Sequence, residues 1–152
     1  MPDNSFILGF HFSVVFELVP HFLADTRFQS VSGLKVTMDT ESVIEGGQNR
    51  FKHSLPTRSG YQDLILKRGL GTDISGISMW CAQALEDFVF SPANLTVSLL
   101  NEKGNPVKVW YVSHAIPLSY EIADFNAEES KIVIETMTLR YNFFKEIPIL
   151  GL

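Results

Sequence analysis

A run of β-strand patterns from Leu95 to Tyr141 constrains the fold more than any other feature of this sequence. Leu95–Leu100 is apolar and β-branched, Lys103–Pro106 has turn chemistry, and Val107–Val112 resumes the strand pattern. A last strand is predicted from Lys131 to Tyr141. Consecutive strands separated by short turns predict antiparallel sheet.

The last predicted strand is partly apolar on both of its faces. One face carries Val133, Glu135, Met137, Leu139 and Tyr141, and the other carries Ile132, Ile134, Thr136 and Thr138. Such a strand is covered on both sides, either by its own domain or by a neighbouring subunit.

Two further strands are predicted in the first third of the chain. From Phe10 to Leu18 apolar residues alternate with polar ones, which places Phe12 and Phe16 on one buried face. The alternation resumes from Leu34 to Glu41, where we expect Val36 and Met38 to point inward with Leu34.

One helix is predicted between Ser75 and Phe90. Its apolar residues recur at helical spacing and form one stripe: Ile77, Trp80, Cys81, Ala84, Leu85 and Phe88. We expect Trp80 and Leu85 to lie in the core, together with Phe12, Phe16 and Trp110. The 152 residues suit one domain, 1–152. The predicted fold is α+β and mainly β, an antiparallel sandwich or barrel with one flanking helix.

Two segments are predicted to act outside this domain core. Residues 45–60 have loop chemistry and carry Arg50, Lys52 and Arg58, although the net charge is −5. A loop of this length is either a mobile surface loop or an arm that docks on a neighbour. The tail 143–152 is apolar, and we expect it to lie against the fold or a partner.

The sequence contains no recognisable catalytic, cofactor or metal motif. The four histidines are scattered, no G-x-S-x-G occurs, and Cys81 lies on the helix stripe as a core thiol would. With no basic tract we expect no nucleic-acid binding, and with no apolar run near ~20 residues we expect no membrane span. A single cysteine suits folding in a reducing cytoplasm.

An ordered set of short motifs resembles one known family. The motifs are Phe28 with Ser32–Leu34, Gly46–Asn49, Leu55–Pro56, Leu66–Gly69, Trp80, Val97–Leu99, Asn101–Val107, Trp110, Ala115–Pro117, Phe125–Ala127 and Glu135–Leu139. In this order they resemble the inner-tube proteins of contractile phage tails and extracellular contractile injection particles. The type VI secretion tube is similar more remotely. The resemblance extends from about Phe12 to Tyr141.

The resemblance implies a structural subunit without catalysis or cofactor. It implies homohexameric rings whose strands join into a shared β-barrel around a payload channel, with the helix outside. Rings would stack through contacts at Gly46, Gly47, Asn49, Arg50, Leu55 and Pro56. Other implied partners are the sheath, baseplate or spike, and terminator proteins of a phage tail or tail-like particle assembled in the bacterial cytoplasm.

Three alternatives remain open at this point. The chain departs from the family pattern at Thr57 and Ile116, and its tail runs past the usual end. It could therefore be the ring that initiates the tube on the baseplate. A secreted ring-forming cargo carrier and a monomeric β-barrel that binds a small ligand are the other two.

Overall fold

The computed structural model describes residues 10–17, 19, 26–43, 53–71, 75–123 and 132–149. Within these residues it contains ten strands and one helix. In chain order they are β1 His11–Phe16, β2 Arg27–Phe28, β3 Ser30–Ser32, β4 Val36–Val43, β5 His53–Tyr61, β6 Leu64–Gly69, α1 Gly76–Leu85, β7 Ala93–Leu100, β8 Pro106–Ile122, β9 Ile134–Arg140 and β10 Phe143–Ile147.

The main sheet is antiparallel and its two ends meet in one short segment. The strand order is β2-β1-β7-β8-β9-β6-β3. Because β2 pairs with β1 while β3 pairs with β6, the segment 27–32 joins both ends of the sheet. The sheet therefore curls into a barrel, and the prediction of a mainly β antiparallel fold with one helix is confirmed.

Strand β8 is the longest element and changes partners along its length. Its first part pairs with β7 on one edge and with β10 on the other. From Ile116 onward it pairs with β9. Between these parts His114 has a left-handed φ of 59°, which bends the strand. The first half of the apolar tail is thus a strand of the sheet, with Phe143 opposite Ser113 and Ile147 opposite Val109.

The core fills the barrel and the space under α1. Phe16 is 1% exposed and packs edge-to-face on Trp80, with ring centroids 5.3 Å apart. The indole Nε1 of Trp80 donates to the carbonyl of Ser91 at 2.7 Å, which satisfies its buried polar atom. Phe12 and Trp110 are partly buried and pack against this core.

The helix is shorter than its apolar pattern predicts. It begins after Ser75, whose hydroxyl accepts from the Ser78 amide at 3.1 Å, and it ends at Leu85. The prediction that Leu85 belongs to the core is wrong, because this last helical residue is 41% exposed. Phe88 lies beyond the helix at a φ of 57° and is 81% exposed, so the stripe does not continue to it.

Strands β4 and β5 form a separate two-stranded sheet. The loop predicted at 45–60 is wrong in its second part, since His53–Tyr61 is a strand paired with β4. The inward orientation predicted for Val36 and Met38 is also wrong. They are 49% and 56% exposed, and neither packs against the core that the described residues form.

In the part of the chain that the structure describes, no helix is both long enough and apolar enough to span a bilayer.

Candidate assembly surfaces

The first candidate surface is the β4–β5 hairpin. Its strands pair only with each other among the described residues, so both outer edges carry unpaired backbone groups. A register shift between Asp39 and Thr40 leaves Thr57 as an extra residue on β5. The Thr57 hydroxyl donates to the Asp39 carbonyl at 3.0 Å and closes this bulge.

The hairpin carries apolar side chains on an otherwise polar ribbon. Leu55 is 52% exposed, in addition to the exposed Val36 and Met38. Arg58 lies 3.9 Å from the Asp39 carboxylate, and its side chain remains 85% exposed. Exposed apolar and charged groups on a projecting ribbon are typical of a surface that contacts another protein.

Two of the six predicted contact residues lie on this ribbon. Leu55 and Pro56 belong to β5, with Pro56 opposite Thr40 at the bulge. Gly46, Gly47, Asn49 and Arg50 lie outside the described residues. The contact role of all six stays a prediction.

The second candidate surface is the turn that follows α1, here called the aromatic turn and defined as residues 88–90. The Phe88 and Phe90 rings pack edge-to-face with centroids 5.0 Å apart, although Phe90 is itself 40% exposed. The Val89 amide donates to the Gln83 carbonyl at 2.9 Å, which fixes the turn to the helix end. The apolar spacing placed Phe88 on the buried stripe of the helix, so the sequence alone did not predict this surface.

Two strand edges form a third candidate surface. Among the described residues β10 pairs only with β8, and the part of β8 after Ile116 pairs only with β9. Each therefore presents one row of backbone donors and acceptors that a strand from another subunit could complete.

A buried polar cluster links Ser75, the residue that caps α1, to the sheet. Arg68 and Glu135 are 7% and 2% exposed and form an ion pair through Nε and Oε1. The Tyr120 hydroxyl donates to the other oxygen of Glu135, and Arg68 Nη2 donates to the Ser75 hydroxyl at 2.7 Å. The Phe28 ring lies against the guanidinium, 5.0 Å from its centroid to Cζ.

This cluster joins β6, β8 and β9 to the residue that caps the helix. Removing two charges from water is costly, and the charge-assisted hydrogen bonds offset that cost. Sequence analysis did not single out Glu135 as a functional or structural site. The available signal was its position between Val133 and Met137 on an apolar strand face, where an unpaired carboxylate would be unstable.

Two weak acids beside this ion pair, the Cys81 thiol and the Tyr120 hydroxyl, are held in their neutral forms. Burial raises the pKa of the Cys81 thiol to about 12, with a further increase from the charge of Glu135 that Arg68 opposes. Burial and the hydrogen bond to Glu135 also raise the pKa of Tyr120, which keeps its hydroxyl a donor. A protonated, buried thiol is a poor nucleophile and a poor metal ligand. Within the described ranges, no group of three His, Cys, Asp or Glu side chains could hold a metal ion.

Comparison with known families identifies the fold. The profile of the T4-like virus tail tube protein gp19 family matches residues 8–145. The chain belongs to this family. The comparison with curated proteins found no match.

Solved structures from contractile injection systems share the fold of this tail tube chain. A chain of the anti-feeding prophage baseplate is 28% identical with a TM-score of 0.81, covering 99% of this chain and 100% of its own length. A chain of the PVC sheath–tube complex in the extended state is 23% identical with a TM-score of 0.76, covering 97% and 95%. Hcp1 from Salmonella typhimurium shares the fold at 10% identity and a TM-score of 0.56, covering 91% and 86%.

These matches confirm the resemblance inferred from the sequence motifs. The chain is a structural protein of the tail tube family, and its relatives occur in phage tails and tail-like injection particles. The exposed hairpin, the aromatic turn and the strand edges left unpaired among the described residues are its candidate contact surfaces.

Proposed function

We propose that this protein forms homohexameric rings that stack into the inner tube of a contractile injection particle, without catalysis or cofactor. The observation that carries the proposal is the β4–β5 hairpin, a ribbon that pairs with no other strand among the described residues, in a chain of the tail tube family. A ribbon of this kind gains stability only when a neighbour covers its apolar side chains.

Ring formation uses the free strand edges. The outer edge of β10 on one subunit and the free part of β8 on the next have unpaired backbone groups, and pairing them extends the sheet across the interface. A head-to-tail interface repeats until the ring closes, and a closed sheet has no edges left. The channel inside this shared barrel carries the payload, and α1 lies outside.

Stacking uses the hairpin. It reaches the adjacent ring and places there the predicted contact residues, which are Gly46, Gly47, Asn49, Arg50, Leu55 and Pro56. The basic residues of this segment meet an acidic neighbour, because each subunit carries a net charge of −5. The aromatic turn is a surface for the sheath, baseplate, spike or terminator proteins of the same particle, which assembles in the bacterial cytoplasm.

A second role is the ring that initiates the tube on the baseplate. The anti-feeding prophage baseplate chain is 28% identical over its whole length, compared with 23% for the PVC sheath–tube chain. This difference favours a position at the base of the tube. A secreted ring that carries cargo has no comparable support.

A truncated hairpin tests the stacking role. Asp39 pairs with Arg58, so removing residues 40–57 and joining this pair by Asn-Gly retains the root of the ribbon and gives it a tight turn. We expect folded rings that no longer stack in negative-stain electron microscopy. The control is Glu102→Ala with Lys103→Ala in the exposed β7–β8 turn, which should leave stacking unchanged.

Each outcome of this experiment has a distinct meaning. Tubes formed by the truncated protein would show that the hairpin is not the stacking arm. Monomers in the unaltered protein at all concentrations would contradict ring formation. Unaltered rings that extend only after baseplate proteins are added would identify the initiator.

A further inference from the structure

The root of the β4–β5 hairpin is packed against the C-terminal strand. Three aromatic side chains meet there, and we call Tyr61, Tyr141 and Phe144 the root cluster. Tyr61 ends β5, Tyr141 follows β9, and Phe144 belongs to β10. The Tyr61 ring lies edge-to-face on both of the others, with centroids 5.9 Å from Tyr141 and 5.4 Å from Phe144.

The backbone at this root is equally close-packed. Gly33 precedes β4 with a φ of 96°, and a Cβ added to it would lie 1.9 Å from the Asp63 carbonyl oxygen. The chain entering the hairpin is thus pressed against the chain leaving it, and only glycine fits. The Gln62 amide donates to the Lys35 carbonyl at 3.1 Å and extends the pairing below Tyr61.

Two side chains at the end of β9 contact the two backbone segments that meet at Gly33 and Asp63. The Tyr141 hydroxyl donates to the Gly33 carbonyl at 3.2 Å, and Arg140 Nε donates to the Asp63 carboxylate at 3.2 Å. One contact holds the strand that enters the hairpin and the other holds the strand that leaves it. Burial, followed by the influence of Tyr61 and Asp63, raises the pKa of Tyr141 to about 12, so its hydroxyl remains a donor.

Beyond this root, no described strand outside the hairpin pairs with it. β4 pairs only with β5 among the described residues, and Val36, Met38 and Leu55 are about half exposed. The direction in which the ribbon projects is therefore set where Tyr61 contacts the barrel.

We propose that Tyr141 and Phe144 are positioning residues, which fix the direction of the β4–β5 hairpin through Tyr61 and couple it to β10. The contact is continuous, because Phe144 opposes Val112 in the β10–β8 ladder while its ring packs on Tyr61. Contacts that keep β10 paired in the sheet therefore also fix the direction in which the hairpin projects.

The coupling has a consequence for assembly, and this step rests on the proposed function. Among the described residues of the single subunit, no strand pairs with the outer edge of β10. When a neighbour in the ring pairs with this edge, β10 becomes more rigid, and through the root cluster the hairpin does too. Ring closure then lowers the ordering cost of the contact that each hairpin makes with the next ring.

Phe143 provides a matched control for Phe144. The two are adjacent on β10 and both partly buried, but they point to opposite faces of the strand. Phe143 lies 5.4 Å from the Lys145 ammonium, and Phe144 packs on Tyr61. Phe143→Ala therefore removes the same atoms from the same strand without affecting the root cluster.

Spin-label distances measure the hairpin direction directly. After Cys81→Ala, labels at Ser42→Cys near the hairpin tip and Lys103→Cys in the β7–β8 turn report the angle between ribbon and barrel. Labelled protein is diluted with unlabelled protein so that only distances within one subunit are recorded. We expect Phe144→Ala to broaden the distance distribution at least about twofold. Without this ring, less free energy is needed to separate Tyr61 from the barrel. Phe143→Ala should leave the width unchanged.

A second variant tests the coupling if Phe144→Ala does not fold. Tyr141→Phe retains the ring and removes only the hydrogen bond to the Gly33 carbonyl, so we expect a smaller broadening. An unchanged width in Phe144→Ala, or equal broadening in Phe143→Ala, would overturn the proposal. The readout does not require rings or tubes, so a failure here is distinct from a failure of the proposed function.

Discussion

The β6–β9 ladder and the β4–β5 hairpin are both antiparallel pairs with apolar residues, yet they differ completely in burial. In β6–β9, Leu66 and its partner Met137 are both 0% exposed. In the hairpin, Val36 and Met38 are about half exposed. The pairs differ in what lies behind them, since β6 and β9 belong to the main sheet around the core, whereas the hairpin pairs with no other strand among the described residues.

Their ion pairs show the same contrast. Arg68 and Glu135 link β6 to β9 in the core, with side chains 8% and 3% exposed. Arg58 and Asp39 link β5 to β4 with a separation of 3.9 Å, and their side chains are 85% and 61% exposed. The barrel pair is thus specified by its own subunit, whereas the hairpin pair leaves its side chains exposed for contact with a neighbour.

The largest expected loss of stability is at the buried ion pair of the barrel. Glu135→Ala leaves the Arg68 guanidinium buried without its carboxylate and deprives Tyr120 of its acceptor. We expect the free energy of unfolding to fall by about 3–5 kcal/mol, measured by urea denaturation. The control is Glu146→Ala, which breaks the exposed pair with Lys108 and should cost at most about 1 kcal/mol.

A double variant distinguishes the cost of leaving one buried charge unpaired from the loss of the ion pair itself. Replacing Arg68 by Met and Glu135 by Leu removes both charges and retains apolar volume. We expect most of the loss in Glu135→Ala to be recovered, because the main cost is an uncompensated buried charge. Equal losses in Glu135→Ala and Glu146→Ala would show that the cluster does not stabilise the barrel.

The sequence predicted the barrel side of the molecule better than the hairpin side. Strand alternation at Phe16 and helical spacing at Trp80 correctly indicated buried faces, because both residues lie on elements that pack on the core. The same reasoning was wrong for Met38 and Leu85. Periodicity shows which residues share a face, but not whether the subunit covers that face.

Residues in the candidate surfaces were predictable only in part. The turn and proline chemistry of 53–60 favoured a loop, and pairing with β4 overrode that local preference. The left-handed backbone at Phe88 has no local signature, since glycine or asparagine would be the usual residue there. The partners of Glu135 come from β6 and β8, so only the assembled fold shows them.

A smaller effect is expected from the pH dependence of the barrel core. The Cys81 thiol has its pKa raised by burial from 9.0 to about 12. As the pH rises above 9, the unfolded chain loses this proton while the folded chain keeps it, so the folded state is progressively destabilised. One group of this kind contributes a slope of about −1.4 kcal/mol per pH unit.

Cys81→Ala provides the reference for this measurement. The free energy of unfolding of both proteins should be measured between pH 8 and pH 10, a range that begins before the tyrosines of the unfolded chain ionise. We expect the unaltered protein to lose more stability than Cys81→Ala across this range. Parallel pH profiles would show that the thiol is not held in a buried site.

The smallest effect on folding is expected in the hairpin. Met38 on β4 and Met79 on α1 are 56% and 53% exposed, so they form a matched pair on the two regions. Replacing either by Gln should change the free energy of unfolding by less than about 0.5 kcal/mol, because little apolar contact is lost within the subunit. Only Met38→Gln should shorten the tubes seen by negative-stain microscopy, since in the proposed assembly a neighbouring ring covers the hairpin. If Met79→Gln shortens them equally, the two exposed surfaces are equivalent and the hairpin has no special part in stacking.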